Sequence, residues 1–503
     1  MDAMTKSSDL LGAGARAFLE QRHLMSIDGQ WVEAQDGRRF DVINPADETV
    51  IATVPAAGAT DVDRAVAAAR RALEHGPWSQ LRPAGRQRLM LKLAELIERD
   101  AQTIAEIESV DNGKSAAIAR AVDVALTVDF LRYMAGWATK IEGSTMDVSV
   151  PFAPADSQFF AYTRREPVGV VAAIVPWNFP LMVAAWKLGP ALAAGCTVVL
   201  KPAEQTPLSA LYLGALLEEA GFPPGVVNIL TGDGPSAGAP LVAHPGINKI
   251  SFTGSTEVGK LIGKVAMDNM TRVTLELGGK SPTIVLDDCD PAIAAQGAAQ
   301  AIFFNQGQVC CAGSRLYVPR NMFDRVLDDL VGHAEAMPIG HGLDPTTQLG
   351  PLVSREQLDR VCGYIDIGSK EGARLVTGGG RAPRPGYFIK PTVFVSEDDS
   401  PRIVREEIFG PVVVAMPYDD LEEIARRAND TPYGLGASIW SRDMSRVQRL
   451  IPKIKAGTVW VNCHSMLDSA VPFGGYKLSG FGRDMGRAAL DAYLESKSVF
   501  MAI

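Results

Sequence analysis

The stretch Val168-Gly-Val-Val-Ala-Ala-Ile-Val175, continued by Pro176-Trp-Asn-Phe-Pro180 and later by Thr197-Val-Val-Leu200, decides the fold. The first segment is a run of small and β-branched residues, suited to a strand buried on both faces. The window Pro167 to Trp186 carries no charge over about the length of a membrane span. Pro176, Asn178 and Pro180 interrupt its middle, so a strand, a loop and the start of a buried helix is the better reading.

Helical and strand patterns alternate outward from this stretch. Asp61 to His75 has Val62, Ala65, Val66 and Ala69 at helical spacing, with Thr60 as the expected cap. Arg86 to Val110 reads as one long amphipathic helix through Leu89, Leu93, Ile97 and Ile104. Leu208–Ala220 reads as a helix stopped by Gly221, and Val226–Leu230 and Ile247–Phe252 as short strands. This rhythm predicts a parallel sheet with helices on its faces. A second run follows Glu276, with strands Thr283–Leu286, Leu316–Val318 and Val412–Ala415 and a helix Pro291–Phe304. Two α/β domains are expected, with a border near residues 276–282. No repeat or low-complexity segment occurs.

The chain has 503 residues, which at roughly 100–200 per domain suits two or three domains. It is 47% hydrophobic and 21% charged with a net charge of −9, and no basic stretch marks a nucleic-acid surface. Its six cysteines (Cys196, Cys289, Cys310, Cys311, Cys362 and Cys463) form no CxxC pair, and no His stands at metal-ligand spacing. Neither a disulfide framework nor a metal site is expected, and a reducing compartment, the cytoplasm, fits. The first twenty residues carry Asp2 and Asp9 and no long apolar run, so neither a secretory signal nor a transit peptide is expected there.

The dinucleotide fingerprint GxGxxG is absent. Gly232-Asp-Gly234 follows a strand, but the next glycine is Gly238, one residue late. Phe252-Thr-Gly-Ser-Thr-Glu-Val-Gly259 also follows a strand and opens a helix, where backbone amides and Ser255 could meet a pyrophosphate. Glu276-Leu-Gly-Gly-Lys-Ser281 ends like a phosphate loop, yet position 274 is Thr where that loop needs Gly. Phe303-Phe-Asn-Gln-Gly-Gln-Val-Cys-Cys-Ala-Gly-Ser-Arg315 sets two cysteines among Gly and polar residues. A lone internal Cys is more often buried and inert, and this stretch alone does not choose. Asn178 stands in an otherwise apolar run, Lys201-Pro-Ala-Glu-Gln-Thr-Pro207 follows the next strand, and Glu276 lies between two leucines, where Glu is seldom buried without a purpose.

Together with Glu406-Glu-Ile-Phe-Gly-Pro411 and Pro472-Phe-Gly-Gly-Tyr-Lys-Leu-Ser-Gly480, these segments resemble the aldehyde dehydrogenase superfamily from about Ile27 to Ser498. The resemblance implies an aldehyde dehydrogenase-like α/β fold with a Rossmann-variant cofactor domain at 1–144 and 168–278. A catalytic domain is implied at 279–478, and a small β oligomerisation arm at 145–167 and 479–503. The tail Glu495–Ile503 ends in apolar residues suited to strand pairing with another subunit, and a homotetramer is expected.

The resemblance also implies roles. Cys310 is the nucleophile, Cys311 packs, and Glu276 is the general base, since no histidine lies in these motifs to pair with the thiol. The Asn178 side-chain amide and the Cys310 backbone N–H form the oxyanion hole, and Lys187 helps position a relay water. NAD is held by Trp177, Lys201, Glu204, Gly234, Gly254, Ser255, Gly259, Glu407 and Phe409. Phe179, Met182, Trp186, Val309, Leu467 and Phe473 form an apolar substrate tunnel. A tunnel of this kind excludes aldehydes that carry carboxylate or phosphate and favours a flat ring. Together with Phe18-Leu-Glu-Gln-Arg-His-Leu and Phe130-Leu-Arg-Tyr-Met-Ala-Gly136, it looks most like the bacterial phenylacetaldehyde dehydrogenase branch. The alternative is a broad aliphatic and aromatic aldehyde dehydrogenase. A CoA-acylating enzyme or an inactive structural paralogue would be expected to lack Glu276 or Cys310.

Overall fold

The computed structural model describes residues 10–503 and is a mixed α/β structure built on two large, mainly parallel sheets. The first sheet has eight strands, in the order Gly480–Phe481, Arg272–Glu276, Lys249–Thr253, Val170–Ile174, Thr197–Lys201, Val227–Ile229, Met25–Ile27, Gln30–Val32. Its five central strands run parallel, and the outer ones are antiparallel additions. Strands Val170–Ile174 and Thr197–Lys201 are buried on both faces, as the run of small branched residues requires. The connection order reverses between Val170–Ile174 and Lys249–Thr253. At such a switch the loops leave the carboxyl ends of two neighbouring strands in opposite directions and open a crevice.

The second sheet has seven strands in the order Arg374–Thr377, Thr392–Val395, Val412–Tyr418, Arg315–Pro319, Pro282–Val285, Gly436–Trp440, Thr458–Val461. The chain leaves the first sheet at Glu276 and enters the second at Pro282. A third sheet pairs Leu494–Ala502 with Phe159–Pro167, which also pairs with Thr145–Met146.

The uncharged window runs through the strand Val170–Ile174 and a loop into a buried helix, Pro180–Ala194, every residue of which lies in the interior. Among the described residues no helix is long and apolar enough to cross a membrane. Lys187 is its one charged side chain, so that charge needs a partner inside the protein.

Three expectations need correction. The long helix is two, Pro83–Arg99 and Ala101–Asn112, broken at Asp100, whose carboxylate is held by Arg99 and by the Tyr212 hydroxyl at 2.9 Å. Thr60 lies inside the helix Ala59–Glu74, and the capping is done by Asp61, which accepts the Gly58 N–H at 3.1 Å. The C-terminal part of the arm is shorter than 479–503, because Gly480–Phe481 pairs with Leu275–Glu276 in the first sheet and only Leu494–Ala502 joins the arm sheet. That tail strand finds its partner within its own chain, and its other edge is the edge of the sheet.

Arg315 ties the second sheet together from within. Its buried guanidinium donates to the carbonyls of Lys280 (2.9 Å), Arg427 (3.3 Å) and Ala428 (2.8 Å). Arg315→Met leaves the buried Lys280 and Ala428 carbonyls unsatisfied, each costing about 1–3 kcal/mol, while the Arg427 carbonyl keeps the Asp430 N–H at 3.1 Å. The expected result is a clear fall in the thermal unfolding midpoint. An unchanged midpoint would show that the network adds nothing.

Candidate active site

Glu276 ends the strand Arg272–Glu276, its backbone fixed by the Gly254 N–H at 3.0 Å and by pairing with Gly480. The side chain is buried, and neither carboxylate oxygen has a hydrogen-bond partner among the described residues. Burial, and then the charge of Asp484, push its carboxyl well above the usual range, and Lys187 and Arg483 oppose this. Lys187 reaches in from the helix Pro180–Ala194 and pairs with Asp484 at 2.5 Å, both side chains being buried. The backbone of Asp484 exchanges two hydrogen bonds with Phe473. Nothing in the sequence singled out Asp484. Its partners lie almost 300 residues away in the chain, and a GRD triplet gives no sign of burial.

The helix Pro291–Phe303 stops where the backbone turns left-handed at Asn305, Gln306 and Gly307 (φ 49°, 58° and 68°). The third must be glycine on steric grounds as well, because a Cβ there would lie 2.2 Å from the Gly410 carbonyl oxygen. The loop is pinned by Asn305, which donates to the Asn178 carbonyl at 3.2 Å, and by Gln308, which accepts the Val353 N–H at 3.0 Å. It delivers Cys310, half-buried, into the cavity, and Cys311 behind it, 4% exposed. A hydrogen bond with Cys311, burial, and the charges of Glu407 and Glu276 hold the Cys310 thiol well above its ordinary value. The same contact lowers Cys311, whose sulfur also meets Ser465 at 3.6 Å.

A histidine does stand here. His464 is buried, and its Nε2 lies 2.8 Å from the Cys311 carbonyl and its Nδ1 3.0 Å from the Ser438 hydroxyl. Burial drives it down to about 4. It is therefore a neutral ring holding backbone and no partner for the thiol.

Asn178 is buried, and its side-chain amide donates to the Gln308 carbonyl at 2.9 Å. With Cys310 and Glu276 it lines a cavity of about 560 Å³. All six expected tunnel residues (Phe179, Met182, Trp186, Val309, Leu467 and Phe473) line it too, with Trp186 and Phe473 ring to ring at 5.7 Å. Val122, Leu126 and Met466, which the sequence reading missed, complete the apolar wall. Lys187 does not line the cavity.

The expected cofactor residues divide into two groups, with Gly259 apart from both. Trp177, Gly254, Ser255, Glu407 and Phe409 line the same cavity. Trp177 follows strand Val170–Ile174, and Ser255 follows strand Lys249–Thr253 and caps the helix Thr256–Asp268, so both stand at the switch point. Phe409 is held left-handed (φ 62°), its carbonyl taken by Gln357 at 2.7 Å and its ring edge-on to Trp177 at 5.1 Å. Glu407 accepts the Gly279 N–H at 2.9 Å, and burial pushes it up to about 7. Lys201, Glu204 and Gly234 lie outside the cavity lining. The Lys201 ammonium is buried 3.6 Å from the half-exposed Glu204 carboxylate. Gly234 opens a short turn with no atom within 4 Å of where a Cβ would be. Gly259 is a packing residue, since a Cβ there would lie 2.5 Å from Leu277. A helix N-terminus on the cavity, an aromatic pair at its end and a Lys–Glu pair beyond fit a dinucleotide laid from adenine ribose to nicotinamide.

A cysteine and a raised carboxyl without a hydrogen-bond partner among the described residues share one cavity, onto which the start of the helix Thr256–Asp268 opens. Such a centre sets a thiol and a group able to take up a proton in one cavity. The profile of the aldehyde dehydrogenase family matches residues 31–499, and the chain belongs to that family. It is similar to the phenylacetaldehyde dehydrogenase of Pseudomonas fluorescens, at 48% identity over 95% of this chain and 96% of that one. It is also similar to the human mitochondrial aldehyde dehydrogenase, at 47% identity over 95% and 91%. The solved NAD+ complex of an aldehyde dehydrogenase from Bacillus cereus superposes with a TM-score of 0.95 at 50% identity, covering 98% and 99% of the two chains. The chain is an NAD-dependent aldehyde dehydrogenase.

Asp484 raises the Glu276 carboxyl, so its charge delays ionisation to higher pH. Asp484→Asn removes that charge and should shift the Glu276 titration to lower pH. The readout is the carboxylic C=O infrared band that Glu276→Gln deletes. A band that titrates at the same or higher pH would contradict the electrostatic account.

Proposed function

We propose that this enzyme oxidises phenylacetaldehyde to phenylacetate, and that the apolar, aromatic cavity wall carries this reading. Phe179, Trp186 and Phe473 offer ring faces, and none of the six expected tunnel residues is charged. A carboxylate or phosphate on the aldehyde would lose its hydration there, at a cost of several kcal/mol. A phenyl ring gains stacking contacts.

In this reading Cys310 Sγ gives its proton to Glu276 and adds to the aldehyde carbon. The Asn178 amide and the Cys310 N–H hold the resulting oxyanion. NAD, when bound, is the two-electron acceptor that turns this adduct into a thioester on Cys310. Glu276 releases the first proton to solvent and then takes one from water, whose oxygen attacks the thioester carbon; that second proton goes to the departing Cys310 sulfur. The acid leaves and the thiol is restored. The raised Glu276 carboxyl suits a base that must accept and return protons near neutral pH. Lys187, paired with Asp484, sets the charge beside that base and does not touch the aldehyde.

Trp177, Gly254, Ser255, Glu407 and Phe409 hold the pyrophosphate and nicotinamide end of NAD, and Lys201, Glu204 and Gly234 the adenosine end. The enzyme works as a cytoplasmic homotetramer. Met146, Phe160, Phe500, Met501 and Ile503 give the arm sheet the exposed apolar surface that such an assembly covers. A broad aliphatic and aromatic aldehyde dehydrogenase is the second reading, favoured by the nearly equal identity to the human mitochondrial aldehyde dehydrogenase.

The nucleophile is tested by Cys310→Ala, which should abolish oxidation with NAD binding intact. Cys311→Ala should stay active, and the reverse pattern would exchange their roles. The substrate is tested by kcat/KM for phenylacetaldehyde, hexanal, betaine aldehyde and succinic semialdehyde in one buffer. Phenylacetaldehyde should lead, hexanal should follow, and the two charged aldehydes should trail. Equal values for the two apolar substrates would leave the broad reading, and a lead for either charged one would sink both.

A further inference from the structure

Lys114 is buried outright, and the reaction described above makes no use of it. Its ammonium touches four groups. It lies 2.5 Å from Asp123 Oδ1 and 3.9 Å from Glu108 Oε2, and it donates to the Asn178 carbonyl at 2.8 Å. It also stands 4.2 Å from the centre of the Phe179 ring. Removing an ammonium from water costs several kcal/mol even when it is paired, so this charge needs a use that an apolar side chain could not supply.

The neighbours show what the charge holds in place. Asn178 and Phe179 belong to the loop between strand Val170–Ile174 and helix Pro180–Ala194. Glu108 fixes the far end of that loop, accepting the Leu181 N–H at 2.8 Å and the Ser209 hydroxyl at 2.9 Å. Asp123 sits in a π-helical turn, Ala119–Val124, which adjoins the helix Ala125–Trp137. Val122 of that turn and Leu126 just after it line the cavity. Lys114 therefore clamps two walls together, the Asn178–Phe179 loop on one side and the Val122–Leu126 wall on the other. Asn305, from the nucleophile loop, donates to the same Asn178 carbonyl at 3.2 Å. Two donors from different parts of the chain thus converge on one peptide oxygen. With that peptide plane fixed, the Asn178 side chain has only its own two torsions left to settle, and its bond to the Gln308 carbonyl restricts them further.

We propose that Lys114 is a positioning residue for the reaction, which aims the Asn178 amide at the developing oxyanion by locking the Asn178 carbonyl, and sets the distance between the two cavity walls. This rests on the reading of Asn178 as an oxyanion donor. Losing one such donor costs roughly 10²–10³-fold in kcat, and mis-aiming it costs some of that.

The test is a double-mutant cycle with Lys114→Met, Asn178→Ala and the pair, with rates expressed per active site as counted by alkylation of Cys310. Lys114→Met should lower kcat per site by about ten- to a hundredfold and leave the NAD dissociation constant within twofold. In the Asn178→Ala background the same change should cost little, because the group it positions is gone. Additive losses, or a normal rate per counted site in Lys114→Met, would overturn the proposal. An active Asn178→Ala enzyme would instead overturn the oxyanion reading on which it rests. Should Lys114→Met fail to fold, Lys114→Met/Asp123→Asn removes the unbalanced carboxylate and carries the same cycle with the same outcomes.

Discussion

A carboxyl group in an apolar setting without a hydrogen-bond partner is among the most expensive things a protein can bury, and the centre of this molecule is arranged around one. Glu276 can be kept there only as a group whose charge is allowed to come and go. Beside it stand a second carboxylate and an ammonium as a closed pair, Asp484 and Lys187. The pair carries no net charge, yet its two members act on Glu276 in opposite senses. That leaves burial as the dominant influence. The arrangement demands that the buried helix, the edge of the first sheet and the segment after Gly480 all meet at one place.

The rest of the site shows the same economy of means. Around the cavity, backbone carbonyls are fixed by side chains from elsewhere in the chain. The Cys311 carbonyl is taken by His464, the Asn178 carbonyl by Lys114 and Asn305, and the Phe409 carbonyl by Gln357. The left-handed residues Asn305 and Phe409 are each tied by one of those bonds. The two sheets supply the walls, but these side-chain-to-backbone bonds convert a crevice between domains into a defined volume.

The sequence made the two parallel sheets legible because a strand covered on both faces must be apolar along its length, as Val170–Ile174 and Thr197–Lys201 are. It made Cys310, Glu276 and Asn178 legible as candidates because each is a chemically odd residue in its surroundings. It did not show the break at Asp100, since apolar spacing carries across a hinge whose cause is an ion pair with Arg99 and a hydroxyl from Tyr212. It also concealed Asp484, His464 and Lys114. These are ordinary polar residues whose burial is decided by segments far away in the chain. The expected arm misplaced Gly480–Phe481 for a similar reason, because a two-residue edge strand has no periodicity to read.

The order in which the parts are made matters as well. The thiol of Cys310 emerges from the ribosome long before the segment carrying Asp484 and the edge strand Gly480–Phe481. The first sheet, begun at Met25, is not complete until that late segment has folded back onto Arg272–Glu276. A nascent or truncated chain that stops short of it lacks the counter-charge for Lys187 and the wall that shields Glu276. Cys310 is therefore synthesised before the groups that surround Glu276 and set its proton affinity. Domains otherwise fold as they emerge, N-terminal first. Here the first sheet gains its outermost strand, Gly480–Phe481, only after the second sheet has been synthesised.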